Sequence, residues 1–173
     1  GVPEIGCTCE VCTSADPRDH RLRTSALVET DDARILIDCG PDFRAQVLGL
    51  PFKKIDGVLI THEHYDHVGG LDDLRSEERL RNRMPYCFVN HNYPGVPNIP
   101  LQEIEPGRTF RINRTSVTPL RVMHGRLPIL GYRIENMGYI TDMLTMPDES
   151  YEQLCNLDVL VVNALRIAPH PTH

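Results

Sequence analysis

The sequence lacks long apolar runs, an excess of positive charge and an even spread of cysteines. Its longest uninterrupted apolar run is Val159 to Val162, whereas a membrane-spanning helix needs about 20 mostly apolar residues. Lysine and arginine number 18 against 24 aspartates and glutamates, which gives a net charge of −6. We therefore expect no passage through a membrane, and the acidic balance disfavours non-specific binding of nucleic acid.

Three of the six cysteines lie within six residues, in the pattern C-x-C-x-x-C: Cys7, Cys9 and Cys12. The first residues show no charged-then-apolar leader, so we expect a reducing, cytoplasmic environment, in which close cysteines bind metal more often than they pair. Three thiolates could occupy three corners of a tetrahedral structural zinc site, with the fourth ligand coming from elsewhere. The alternative is three free thiols in a mobile loop.

The chain length of 173 residues predicts a single domain, 1–173, whose first 24 residues form a cysteine-rich, metal-binding loop. Residues 25–29 and 34–37 read as a hairpin. Further strands are predicted at 58–60, 86–89, 109–112, 117–122, 129–135, 139–141 and 159–162, and helices at 42–48, 69–82 and 147–154. Many strands mixed with fewer helices predict an α/β fold, with sheets packed face to face and helices outside.

The segment THEHYDH, residues 61–67, follows an apolar strand and holds three of the eight histidines. Neutral imidazole and carboxylate are ligands that zinc and similar divalent metals prefer. His62 and His64 could share one metal, while Asp66 and His67 could face another. Paired ions about 3.5–4 Å apart can hold the attacking and leaving oxygens of a displacement reaction. The alternative is a solvated polar turn.

This H-x-H-x-D-H segment, followed by Gly-Gly-Leu at 69–71, resembles the metallo-β-lactamase superfamily. The resemblance implies a four-layer αβ/βα sandwich and a site of two divalent ions, zinc or manganese. The ligands it implies are His62, His64 and His124 on one ion, Asp66 and His67 on the other, and Asp142 bridging both. It also implies that Asp38 orients this loop from behind. Without the family, His124 could be a strand-end surface residue and Asp142 a turn former.

The cysteine cluster and the arginines at 18, 21 and 23 narrow the resemblance to the phosphoribosyl 1,2-cyclic phosphodiesterases of phosphonate degradation. That family hydrolyses a cyclic phosphate on ribose with a hydroxide formed at the metals. The resemblance implies that Asp66 orients or deprotonates the water and that His173 protonates the departing oxygen. It also implies one structural zinc in the cysteine loop, completed by a histidine nearer the C-terminus. A disordered tail is the alternative for His173.

Both ends depart from that family, which usually begins with a strand and a glycine-rich turn and ends with a further helix, strand and H-x-x-H. We therefore expect the natural protein to continue past His173, since the strand at 159–162 would otherwise leave a sheet edge uncovered. The interval 74–86 is also short for the family. Prolines at 169 and 171 are expected to limit how the tail folds back.

Two rival functions remain open. The same ligands serve hydrolases of thioesters, lactams, lactones or precursor tRNA, as in ribonuclease Z, and they could also serve a non-enzymatic metal-binding protein. The net charge of −6 argues against RNA. Catalysis is favoured over a degraded site because all six candidate ligands are present: His62, His64, Asp66, His67, His124 and Asp142. The expected partner is a small phosphodiester, with no membrane and with nucleic acid unfavoured, and the sequence leaves a homodimer open.

Overall fold

A computed structural model gives the fold, and it describes residues 1–51, 53–71, 102–165 and 171–172. The predicted strand at 86–89, the predicted helix beyond residue 71 and the candidate His173 lie outside the described residues. Among the helices in these ranges, none is long and apolar enough to span a membrane.

Within the described residues the first sheet has three strands, β1 (Ala26–Glu29), β2 (Arg34–Ile37) and β3 (Gly57–Leu59). β1 and β2 form the predicted antiparallel hairpin, with Ala26 opposite Ile37. Helix α1 (Phe43–Val47) lies between β2 and β3, which pair in parallel. Because parallel strands end at the same edge of a sheet, the residues that follow β2 and β3 come together.

In the part of the chain that the structure describes, the second sheet has five strands in sequential order. They are β4 (Phe110–Ile112), β5 (Thr115–His124), β6 (Leu127–Ile134), β7 (Met137–Ile140) and β8 (Val159–Val162). The first four are antiparallel neighbours, whereas β8 pairs in parallel with β7 after helix α3 (Asp148–Glu152). β5 is longer than predicted because its pairing with β6 continues to His124 opposite Leu127.

The core lies between the two sheets. Ile35 and Ile37 of β2 pack with Val117, Tyr132 and Ile134 of the second sheet, and all are at most 2% exposed. Alternating apolar side chains on each strand supply these inward faces. The Tyr132 hydroxyl donates a hydrogen bond to the carbonyl of Ile60, just beyond β3. The predicted α/β sandwich is confirmed, as two mixed sheets with short helices.

Strand β8 is the edge of the second sheet among the described residues. Its four side chains are between 43% and 52% exposed. Within the described ranges, this strand therefore presents exposed side chains on both faces.

Candidate metal centre

The candidate ligands follow the carboxyl ends of strands in both sheets. Asp38 follows β2, His62 lies shortly after β3, His124 ends β5, and Asp142 lies two residues beyond β7. Helix α2 (Tyr65–Val68) supplies Asp66 and His67. Asp38 and Asp142 adopt left-handed backbone angles, with φ of 56° and 53°, a conformation that aspartate tolerates better than most residues. We call this group of side chains the metal centre.

One side of the metal centre consists of three histidines. Ring nitrogens of His62, His64 and His124 all lie within 4.8 Å of one another, and His62 Nε2 is 3.0 Å from His64 Nδ1. His62 and His124 are buried, whereas His64 is exposed. Three imidazoles that converge with one side open to solvent fit a divalent ion that keeps a coordination position for water or substrate.

The other side combines His67 with carboxylates. His67 Nε2 lies 2.8 Å from Asp142 Oδ2 and 3.6 Å from Asp66 Oδ2. Asp142 Oδ2 is also 3.7 Å from His62 Nε2, so this carboxylate lies between the two sides. Ligand atoms of His62, His67 and Asp142 lie within 4.8 Å of one another. Asp66 lies at the edge of this group, and its side chain is 57% exposed. Mixed imidazole and carboxylate donors fit zinc or manganese.

Asp38 lies behind both sides, completely buried. Its carboxylate accepts hydrogen bonds from the Thr61 amide at 2.8 Å, from the Thr61 hydroxyl at 2.8 Å and from His67 Nδ1 at 2.7 Å. Because the Thr61 hydroxyl donates to Asp38, it accepts from His62 Nδ1, 2.9 Å away. His62 therefore carries its lone pair on Nε2, the nitrogen that faces the centre. Sequence reasoning named Asp38 and missed Thr61, although a threonine directly before His62 was a usable signal.

Burial and neighbouring charge separate the pKa values of two adjacent histidines. Burial lowers the pKa of His62 to about 3, and the neighbouring His67 and His64 lower it further. Burial also acts to lower the pKa of His67, but hydrogen bonds to Asp142 and Asp38 outweigh it and raise that pKa to about 10. Positive charge is thus stabilised between Asp38 and Asp142, where a divalent ion on His67 Nε2 would replace one proton.

His124 is held by two carbonyl groups. Its Nδ1 lies 3.0 Å from the carbonyl oxygen of Asp142 and 2.9 Å from that of Thr172. The prolines were expected to limit folding back of the tail, yet residues 171 and 172 reach the end of β5. Sequence reasoning missed the Thr172 contact, because a backbone carbonyl leaves no signature in the residue type.

Two glycines, Gly40 and Gly70, let the histidine-rich segment that begins at Thr61 approach the end of β2. The Gly70 amide donates to the Cys39 carbonyl at 2.8 Å, and the Cys39 amide donates to the His67 carbonyl at 2.7 Å. A Cβ atom on Gly70 would overlap the carbonyl oxygen of Gly40, and one on Gly40 would overlap that of Asp66. The short distance between Asp38 and His67 depends on this close backbone packing.

The cysteine loop brings its three thiols together at a separate place. Sulfur atoms of Cys7, Cys9 and Cys12 lie within 4.8 Å of one another, and the Glu4 amide donates to Cys12 Sγ at 3.4 Å. The amide of Cys12 lowers the pKa of the Cys9 thiol, which favours the thiolate that binds metal. Within the described ranges the group has three members, and no fourth ligand joins it.

Comparison with known proteins agrees with this architecture. A family model described as the beta-lactamase superfamily domain matches residues 33–173. The chain belongs to the beta-lactamase superfamily. The resemblance of its sequence to the metallo-β-lactamase superfamily is thus confirmed. Over its whole length the chain is similar to a solved structure, a diphosphatase from the PhnP family. The two share 37% identity at a TM-score of 0.86, and the match covers 72% of that chain.

The chain also matches parts of two longer curated relatives. An octanoyltransferase of Porphyromonas gingivalis is 47% identical over 190 residues, a match that covers all of this chain and 39% of the relative. A ribonuclease Z of a Bradyrhizobium strain is 39% identical over 90 residues, which is 50% of this chain and 30% of the relative. The chain thus spans well under half the length of either relative.

Proposed function

We propose that the metal centre belongs to a hydrolase that cleaves a small cyclic phosphodiester, such as a ribose 1,2-cyclic phosphate. The observation that carries this proposal is the position of the Asp142 carboxylate, 2.8 Å from His67 Nε2 and 3.7 Å from His62 Nε2. A carboxylate between two converging donor groups suits a pair of divalent ions. The likeness to a PhnP-family diphosphatase supports a phosphate ester as the substrate class.

In this proposal the ligands divide into two sets. His62, His64 and His124 would hold the first ion, Asp66 and His67 would hold the second, and Asp142 would contribute to both. When bound, the two ions supply Lewis-acid activation of water and neutralise charge on the phosphoryl oxygens. Zinc and manganese both suit these donors.

The chain's own residues orient the reaction. Asp38 orients His67, and Thr61 orients His62, so that the Nε2 atom of each ring faces the metal centre. Because both rings are already in place, they need not reorient during the reaction. The half-exposed Asp66 carboxylate accepts the proton of the attacking water. His173, outside the described residues, is proposed as the group that protonates the departing ribose oxygen; it directly follows Thr172, which contacts His124.

Hydrolysis of RNA is the second candidate function. The match to ribonuclease Z covers half of this chain, so a nucleic-acid substrate is tested beside small phosphodiesters. The net charge of −6 disfavours it, because RNA binding depends on neutralising phosphates with lysine and arginine. The octanoyltransferase name belongs to a protein of which this chain matches 39%, and it carries no argument for acyl transfer here.

A substrate comparison tests the proposed function. After loading with manganese or zinc, the protein is expected to hydrolyse a ribose 1,2-cyclic phosphate faster than a linear phosphodiester, a β-lactam or precursor tRNA. The reasons are the likeness to a diphosphatase, which favours a phosphate substrate over a lactam, and the net charge of −6, which disfavours a long polyanion. Initial rates at equal substrate concentration, with metal-stripped protein as the control, measure the order. Faster turnover of precursor tRNA or of a β-lactam would overturn the proposal.

We further propose that Cys7, Cys9 and Cys12 bind one structural zinc, because three sulfurs already converge there. Cys9→Ser is expected to remove about one zinc per chain and to lower the melting temperature by about 4 °C or more, which corresponds to roughly 1–2 kcal/mol for a chain of this size. Elemental analysis and thermal unfolding measure both effects. Cys155→Ser, at an exposed cysteine outside the cluster, is the matched control. Unchanged zinc and unchanged melting in Cys9→Ser would refute the site.

A further inference from the structure

The residues Pro171 and Thr172 lie against the turn between β5 and β6, and the proposed reaction assigns them no role. The carbonyl oxygen of Thr172 is 2.9 Å from His124 Nδ1, a contact between residues 48 positions apart in the sequence. A Cβ atom built on Gly125 would lie 3.2 Å from Thr172 Cγ2 and 3.3 Å from the carbonyl oxygen of Pro171. We call residues 171–172 the strap, and it packs directly on Gly125.

The strap supplies one of two carbonyl oxygens that contact the same ring nitrogen of His124. Nδ1 faces two carbonyl oxygens, those of Thr172 and Asp142, at 2.9 and 3.0 Å. A carbonyl oxygen only accepts hydrogen bonds, so Nδ1 carries the hydrogen and Nε2 carries the lone pair. A metal ion requires that lone pair, and the partner of the other nitrogen fixes the orientation of the ring.

We propose that the strap is a positioning element for His124, which holds the imidazole in the tautomer and orientation that bind metal. This inference rests on the proposed function, because it takes His124 as a metal ligand. It adds a residue, Thr172, that acts through its backbone and is distant in sequence from the H-x-H-x-D-H segment.

Gly125 provides the place where the strap docks. Its φ is +59°, a left-handed conformation that glycine adopts without steric cost. An alanine at this position would bring a methyl group against Thr172 Cγ2 and the Pro171 carbonyl. Because the contact distances are 3.2 and 3.3 Å, the strap must give way by a few tenths of an ångström. That movement lengthens the hydrogen bond to His124 without changing any ligand.

The chain offers a matched control for this substitution. Gly107 also has a left-handed backbone, with φ of +81°, but a Cβ atom there would meet nothing within 4 Å. Gly107→Ala therefore introduces the same kind of backbone strain as Gly125→Ala and leaves the strap untouched. We therefore expect the two variants to lose similar thermal stability, because each places a side chain in the left-handed region.

The experiment measures Mn²⁺ binding to the wild-type chain and to both variants by electron paramagnetic resonance. Mn²⁺ prefers oxygen and imidazole ligands over thiolates, so the signal reports on the metal centre rather than on the cysteine loop. Gly125→Ala is expected to weaken Mn²⁺ binding about 10-fold, at the low end of the effect of outer hydrogen-bond partners, since the Asp142 carbonyl remains. Gly107→Ala should bind Mn²⁺ like the wild type while losing similar thermal stability.

A double variant separates the strap contact from local strain. Adding Thr172→Ala to Gly125→Ala removes the Cγ2 atom that the new methyl group meets, so part of the Mn²⁺ affinity should return. Equal affinity in Gly125→Ala and Gly107→Ala, with the wild type binding Mn²⁺, would overturn the strap proposal alone. If the wild-type chain binds zinc but not Mn²⁺, the same three-way comparison is made by zinc titration in the Cys9→Ser background, which lacks the cysteine-loop site. A wild-type chain that takes up neither ion at the metal centre would overturn the proposed function and this inference with it.

Discussion

Replacing His62 and His64 together with alanine is expected to remove the divalent ions proposed for the metal centre and to abolish the proposed phosphodiester hydrolysis. His62 belongs to both groups of converging donors, and its Nε2 atom is 3.0 Å from His64 Nδ1. The double substitution leaves His124 as the remaining histidine on the first side, and one imidazole holds a divalent ion weakly. Elemental analysis after dialysis should show that metal content falls to the zinc of the cysteine loop.

The control for this variant is His20→Ala. His20 is an exposed histidine whose Nε2 lies 3.3 Å from the Ser14 carbonyl, and it belongs to neither donor group. Circular dichroism and thermal unfolding establish that both variants are folded. A folded His62→Ala, His64→Ala protein with wild-type metal content and wild-type turnover would show that the centre lies elsewhere.

Gly70→Ala is expected to produce a large loss of stability. The new methyl group would overlap the carbonyl oxygen of Gly40, and it would lie 2.8 Å from the carbonyl carbon of that residue. These are backbone atoms, which cannot rotate away as a flexible side chain could. The free energy of unfolding should fall by about 3 kcal/mol or more, the upper end of the range for overpacking. Urea denaturation measures this change.

Gly49→Ala is the control for that measurement. A Cβ atom on Gly49 would meet nothing within 4 Å, and its backbone is not left-handed. The free energy of unfolding of Gly49→Ala should be unchanged or raised by about 0.4–1 kcal/mol, because alanine restricts the conformations of the unfolded chain. If the two alanine variants unfold at the same urea concentration, the stability of the histidine-rich segment after β3 does not depend on the packing between Gly40 and Gly70.

The sequence predicted the elements that depend on local patterns. The β1–β2 hairpin and the β8 bounds follow from short apolar runs between turn residues, and both agree with the structure. His62, His64 and His67 were identifiable because one short segment after a strand contains them all. These signals are local, so periodicity and spacing were sufficient to read them.

Residues and backbone contacts that are distant in sequence from the histidine-rich segment could not be predicted from local patterns. His124 and Asp142 were identified only through a family resemblance, since one strand-end histidine or one aspartate in a turn has many ordinary explanations. The Thr172 carbonyl carries no residue-specific signal at all. The close approach of Gly40 to Asp66 depends on the register of β2 against β3, which a single sequence does not specify.

Every candidate ligand of the metal centre stands at or beyond the carboxyl end of a strand, and the two sheets present those ends at a common rim. The core beneath consists of strand interiors that contribute no ligand. The connecting segments at this rim can therefore diverge in length and sequence while the metal-binding residues keep their places. This separation suits a scaffold whose relatives bear names as different as diphosphatase and ribonuclease Z. For protein engineering, it makes the connections the part to exchange when a new substrate is sought.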